Sequence, residues 1–248
     1  MSFSKRSVEK ILCRFPRAYA HLRNLCGTKD WEKQTFLKTI KPGWTTIEIG
    51  ANLGYFTNLF QMIVGPHGRV EAFEPVPSTF QQLESTISKG RNNCTLHNLG
   101  TGNKGGEVIF HVPLNDHGQA TMSPHDCKSW KSRKIEEVTC SVIKLDEFTP
   151  ISSLAKIDFI KIDAEGAELP SLQGAEHIIT KHKPLLFLEG CSAWMKSFGY
   201  NAKELEAFLR SFSYDKFEVV GENLLVIDSI ESFLQTKGDE DSFNFLIS

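Results

Sequence analysis

No stretch of this chain approaches the roughly 18 consecutive apolar residues that a membrane-spanning helix needs, and the N-terminus lacks the continuous apolar core of a secretory leader. Charge of one sign is missing too. Against 28 Lys and Arg stand 30 Asp and Glu over 248 residues, a formal net charge of −2, which excludes a uniformly basic nucleic-acid binder and an acidic tail protein. The six cysteines (Cys13, Cys26, Cys94, Cys127, Cys140, Cys191) contain no C-x-x-C pair, and the eight histidines form no H-E-x-x-H or comparable cluster. Disulfide frameworks and zinc sites are therefore disfavoured, and isolated thiols fit a reducing, cytoplasmic compartment. Internal repeats and low-complexity tracts are absent as well. With 40% apolar residues, what remains is a globular chain large enough for one α/β domain with a ligand cleft.

The charge balance fails locally at the start. Lys5, Arg6, Lys10, Arg14, Arg17, Arg23 and Lys29 face only Glu9 and Asp30, with Ile11, Leu12, Phe15, Leu22 and Leu25 interleaved. Residues 1–30 read as a basic helical arm packed on the domain, with peripheral contact to an anionic membrane as the alternative. Residues 31–248 read as a single domain.

Within that domain strands and helices alternate. Thr45 to Ile49 is short, β-branched and framed by Gly43 and Gly50, as a buried parallel strand should be. Tyr55, Phe56, Leu59, Phe60 and Ile63 then form one helical stripe, and Gly65-Pro66 ends it. Arg69 to Phe73 is the next strand. Ser78 with Gln81 predicts a capping box for a second helix, and Gly90 its left-handed C-cap. Cys94 to Leu96, Glu107 to Val112 and Glu137 to Ile143 read as further strands. Ile157 to Ile162 reads as a central parallel strand, followed by a helix from about Leu169 to Thr180 with Pro170 in its first turn. Leu185 to Leu188 repeats the strand theme, and Asn201 with Glu204 caps another helix. Phe217 to Val220, Leu224 to Ile227 and Phe243 to Ile247 look like antiparallel strands closing the edge. Strands separated by helices of this length imply right-handed βαβ units in a doubly wound α/β sheet with helices on both faces, where ligands bind beyond the carboxyl ends of the strands.

Two constellations fall on that rim. The first strand ends in Glu48-Ile49-Gly50-Ala51-Asn52-Leu53-Gly54, a G-x-x-x-G turn that lacks the extra glycine of a dinucleotide-binding G-x-G-x-x-G. The missing Cβ atoms at Gly50 and Gly54 would let a ligand approach the backbone, and Glu48 could accept hydrogen bonds from an ammonium group. Glu74 ends the second strand, 24 residues after Gly50, where an acid can take both hydroxyls of a ribose. A nucleoside site without a diphosphate loop points to S-adenosylmethionine. The second constellation is Asp163, Glu165 and Glu168 after the central strand. Asp163 is placed to face a ligand's reactive carbon, Glu165 is a candidate base, and Glu168 reads as a helix cap. Glu189 ends the following strand and forms with Asp163 a pair of candidates for a general base. Divalent metal ligation by that pair is an alternative the spacing does not favour. Residues 114–134 form the expected substrate loop, with His117 and Trp130 as candidate contacts in a segment that also carries Lys128, Lys131, Arg133 and Lys134.

Taken together, Ile47-Glu48-Ile49-Gly50-Ala51-Asn52-Leu53-Gly54-Tyr55-Phe56-Thr57, Phe73-Glu74-Pro75, Ile160-Lys161-Ile162-Asp163-Ala164-Glu165-Gly166-Ala167-Glu168, Leu172-Gln173-Gly174-Ala175 and Phe187-Leu188-Glu189 resemble the FkbM-type S-adenosylmethionine-dependent methyltransferases, over about Trp31 to Leu246. The resemblance implies a class I methyltransferase (Rossmann-like) fold. It implies a cofactor held by Glu48, Gly50, Asn52, Gly54 and Glu74, with Ala51 and Tyr55 in the same turn, and Asp163 and Glu165 beside the transferred methyl group. It also implies O-methylation of a hydroxyl on a sugar, glycan or secondary metabolite. Glu48 and Ala164 stand where that family usually has Asp and Val. An RNA methyltransferase, a nicotinamide oxidoreductase and a non-catalytic binding protein with a vestigial pocket are the rival readings, and oligomeric state leaves no signal.

Overall fold

The β-branched run after Gly43 becomes β1 (Thr45–Ile49), buried from its second residue on, as a strand covered on both faces must be. The computed structural model describes residues 30–87, 92–114, 119–124, 130 and 133–248. The basic arm before Asp30, the expected C-cap Gly90, and His117, Lys128 and Lys131 lie outside the described residues.

β1 leads through α2 (Tyr55–Val64) to β2 (Arg69–Phe73) and through α3 (Pro77–Thr86) to β3 (Cys94–His97). The chain then returns past β1 to β7 (Phe159–Ile162) and β8 (Leu185–Cys191). These five strands are parallel, in the order β8-β7-β1-β2-β3. The direction of winding reverses between β1 and β7, and such a switch point opens a crevice at the carboxyl ends. Beyond β8 the sheet continues antiparallel with β11 (Ser242–Ile247), β9 (Phe217–Val219) and β10 (Leu225–Ile227). The result is the doubly wound Rossmann-like sheet with an antiparallel carboxyl-terminal edge that the alternation predicts.

Alternation along each strand sends side chains to two cores. Ile47, Ile160, Ile162, Leu186 and Leu188 pack against α5 (Glu168–Gln173), α6 (Glu176–His182) and α8 (Ala202–Ser211) through Leu172, Ile178 and Leu205. On the other face Phe159 and Phe187 meet Phe36 of α1 (Trp31–Thr39) and Phe60 of α2, with Phe36 in edge contact with Phe60 at 5.0 Å between centroids. Burial of these aromatics supplies most of that layer's cohesion.

β4 (Gly100–Thr101), β5 (Gly106–Pro113) and β6 (Ile135–Ile143) form a separate three-stranded sheet, in the order β4-β6-β5. Two helix expectations are corrected. α3 starts at Pro77 with Val76 as N-cap and no side-chain cap bond, so Ser78 does not make the expected box: Pro77 has no N–H to satisfy and its fixed φ suits the first helical position. The single helix expected from Leu169 to Thr180 divides into α5 and α6 at Gly174. A Cβ on Gly174 would lie 2.1 Å from the Gly102 carbonyl oxygen, so that close crossing is what breaks the helix. The capping box of Asn201 and Glu204 forms as expected, with both reciprocal bonds present. No helix among the described residues is long and apolar enough to cross a membrane.

Candidate active site

At the switch point the backbone turns sharply after β1. Gly50 adopts φ 80° and Asn52 φ 47°, left-handed conformations that glycine adopts freely and asparagine tolerates. A Cβ on Gly50 would sit 1.9 Å from the Asp163 carbonyl oxygen, and one on Gly54 2.6 Å from Leu83 Cδ1. The two glycines are therefore required by the crossing of β7 and by α3, a constraint separate from their expected role of letting a ligand approach the backbone.

The turn opens a cleft with about 590 Å³ of empty space, its open mouth included. Ile49, Gly50, Asn52, Glu74 and Pro75 line one side, Asp163, Ala164, Glu165 and Ala167 the other, and Phe110, Ala120 and Met122 from the small sheet and its loop cover it. Glu74 Oε2 accepts from the Asn52 backbone N–H (2.9 Å) and Oε1 from that of Val76 (3.0 Å). Burial pushes the Glu74 carboxyl up to about 7, against the pull of these two bonds. Each oxygen keeps a second lone pair for a ligand hydroxyl. Beside it Asn52 Oδ1 is buried with no hydrogen-bond partner within the chain, a requirement a bound donor would meet.

On the opposite side Lys161 Nζ, on a side chain 1% exposed, lies 2.8 Å from Asp163 Oδ2. Burial would raise the Asp163 carboxyl, but the Lys161 charge and a hydrogen bond with Glu189 hold it below the ordinary range. Glu189 is raised well above it by burial and by the charge of Asp163. Glu165 takes φ 52°, and its carbonyl accepts from Thr121 Oγ1 at 3.0 Å. Glu168 pins the same turn: Oε1 accepts from the N–H groups of Ala164 (3.0 Å) and Gly166 (3.3 Å), which precede α5, so its side chain braces the turn and does not cap the helix as expected. Burial brings the Glu168 carboxyl up to about 7. Tyr200, which no motif marked, donates its hydroxyl to the Gly166 carbonyl at 3.0 Å.

Side-chain oxygens of Asp163, Glu165 and Glu189 lie within 4.8 Å of one another. That spacing would suit a cation, but the Lys161 ammonium already contacts Asp163 Oδ2 at 2.8 Å. A divalent ion would have to share Asp163 with that buried ammonium, while Glu189 Oε2 is buried with no hydrogen-bond partner of its own.

A family model for the methyltransferase FkbM domain matches residues 48–216. The chain belongs to the FkbM methyltransferase family. "Methyltransferase 1" of Beauveria bassiana is 25% identical over 144 residues, covering 52% of this chain and 57% of its own length. The "Hexuronic acid methyltransferase AglP" of Haloferax volcanii is 24% identical over 173 residues, covering 69% of this chain and 63% of its own. This chain thus spans less than two thirds of these curated relatives. Among solved structures, that of a methyltransferase FkbM from Methylobacillus flagellatus KT aligns with a TM-score of 0.49 at 19% identity, covering 88% of this chain and 55% of that one.

In this FkbM methyltransferase domain the sequence-predicted residues separate into two groups. Gly50, Asn52, Glu74, Asp163 and Glu165 line the cleft, and Glu189 joins them through Asp163. Glu48, Ala51, Gly54 and Tyr55 do not line it. Glu48 is 1% exposed, accepts from Thr57 Oγ1 at 2.6 Å, and the ammonium it faces is that of Lys161. Ala51 is buried against Leu83. Tyr55 points outward, 55% exposed, with its hydroxyl donating to Asp30 Oδ2 at 2.6 Å. Trp130 is 4% exposed and so offers little surface for the expected substrate contact. His117 lies outside the described residues. Lys161, Tyr200 and Phe110 have no role expected from sequence, because only tertiary packing brings them beside the cleft, whereas Ala120 and Met122 fall within the expected substrate loop.

Proposed function

We propose that this protein is an S-adenosylmethionine-dependent O-methyltransferase acting on a hydroxyl of a sugar, glycan or secondary metabolite. The observation that carries the reading is one cleft with a buried ribose-type acceptor, Glu74 beside the unpartnered Asn52 Oδ1, on one side and the Asp163–Glu189 pair on the other. Family membership supports the cofactor, and the name of the Haloferax relative supports a sugar acceptor.

Glu74 and Asn52 would hold the nucleoside, and the bound cofactor supplies an electrophilic methyl group on sulfonium. The chain's own work is to align an acceptor oxygen at about 3 to 3.5 Å and to take its proton. We assign that task to the rim carboxylates, with Phe110, Ala120 and Met122 covering the cleft above them. The RNA reading loses support from the buried Trp130 and from a cleft whose described lining contains no Lys or Arg. Thiols at Cys94 and Cys140 without a disulfide support the cytoplasm as its compartment.

Calorimetric titration with S-adenosylmethionine and S-adenosylhomocysteine, repeated on Glu74→Ala, tests the reading. Micromolar binding that the variant loses is the expected result; a wild-type protein that binds neither sinks it. Asp163→Ala should keep cofactor affinity while turnover falls about 10²- to 10⁴-fold.

A further inference from the structure

We propose that Asp163 and Glu189 form a dyad holding one proton between them, that Lys161 is the positioning residue keeping the dyad's negative charge on Asp163, and that the dyad accepts the proton of a neutral hydroxyl acceptor. The inference rests on the methyltransferase reading.

The sheet register builds the dyad. Ile162 pairs with Leu188 across β7 and β8, so one step further along both strands Asp163 stands opposite Glu189 at the rim. Their side-chain oxygens lie within 4.8 Å of one another, and two carboxyl groups held that close in a buried site do not both ionise, so one keeps a proton. One layer lower Glu48 pairs with Lys161 across β1 and β7. Lys161 rises from that layer with its ammonium 5.3 Å from the Phe56 ring centroid and 2.8 Å from Asp163 Oδ2. The other described groups around the pair are Glu48 from β1, Glu32 from α1, Glu165 and Glu168 from the turn after β7, and Asn244, opposite Glu189 on β11. Against four acids Lys161 supplies the positive charge, and it does so on the Asp163 side. The proton therefore resides on Glu189, consistent with the opposite displacements of the two carboxyls.

The Asp163 side chain is 32% exposed and lines the cleft. As the acceptor oxygen bonds to the methyl carbon, its O–H proton passes to Asp163, and the electron pair of the breaking S–CH₃ bond remains on sulfur. Asp163 then returns the proton to water. A carboxylate acceptor would bring no proton and would set a second negative charge against Asp163. The dyad therefore favours ether formation at a hydroxyl over ester formation at a carboxylate.

Infrared spectroscopy of the purified protein tests the dyad without an acceptor. At about pH 9, where the other raised glutamates near 7 have ionised, the wild type should keep a protonated-carboxyl C=O band. The isosteric Glu189→Gln should lose it. In Lys161→Met the first ionisation of the pair, and with it the acid limb of the kcat/KM profile, should move up by about one pH unit or more. S-adenosylmethionine affinity in that variant should stay within a few-fold of wild type. A wild type with no such band, or a Lys161→Met profile that does not move, overturns the dyad while cofactor binding persists. Failure of the wild type to bind the cofactor is a separate result that removes the methyltransferase reading itself.

Discussion

At Gly50 two independent constraints meet, a φ of 80° and a neighbouring carbonyl oxygen that would stand 1.9 Å from any Cβ. Both are backbone features just past the ends of the two central strands, so no side-chain adjustment relieves them. Gly50→Ala should lose upwards of about 3 kcal/mol, the scale of severe backbone and steric conflicts, read as a lowered midpoint in urea unfolding with an unchanged slope. Glu74 behaves differently, because its carboxyl is satisfied by two backbone N–H groups yet raised by burial to about 7. A ligand that donates two hydroxyls favours the ionised form. S-adenosylhomocysteine binding should therefore tighten as pH rises from 6 to 8 and release a proton below pH 7. Calorimetry in buffers of different ionisation enthalpy measures that release.

Among the elements, the turn between β7 and α5 is held chiefly by side chains from elsewhere. Glu168 collects two of its N–H groups, Thr121 donates to the Glu165 carbonyl, and Tyr200 donates to the Gly166 carbonyl. A Cβ on Gly166 would meet the Phe198 ring at 2.6 Å, so α7 (Ser192–Ser197) and the residues after it clamp the turn from outside. Tyr200→Phe removes one buried donor and should cost about 1 to 2 kcal/mol of stability. Because the turn carries Asp163 and Glu165, turnover should fall in this variant more than cofactor affinity, which steady-state kinetics against calorimetry would separate. α8 is a simpler case. Asn201→Ala removes a side-chain cap and should cost about 1 kcal/mol, measurable by thermal melting, with no effect on the cleft.

For the molecule as a whole the buried acids set the pH dependence of folding. Glu48, Glu74 and Glu168 ionise near 7 in the folded protein and near 4.5 when exposed. A carboxyl raised on folding favours the folded state while protonated, so this contribution is full below about 4.5 and is lost as pH rises through about 7. The slope approaches about 1.4 kcal/mol per pH unit for each group within that window. Asp163 acts in the opposite sense. Its lowered carboxyl contributes stability above its unfolded value of 3.8, which is lost as pH falls below that. The ligand-free protein should melt highest near pH 4, between these two windows, and progressively lower toward pH 8. Saturating S-adenosylmethionine should flatten that decline, since it binds only the folded state and satisfies Glu74 in its charged form.

Local periodicity settled the strands and helices that line the sheet, because a buried parallel strand and an amphipathic helix each write a pattern within about ten residues. It also placed Gly50, Asn52, Glu74, Asp163, Glu165 and Glu189 on one rim, since residues that end parallel strands share an edge whatever the order of the strands. The insertion of β11 between β8 and β9, the separate small sheet over the cleft and the burial of Trp130 depend on contacts between distant segments, which no local pattern carries. The same reason hid Lys161. In sequence it is one polar residue in an apolar strand; only the register of β1, β7 and β8 sets its ammonium beneath Asp163 and gives one carboxylate a charge that its neighbour lacks.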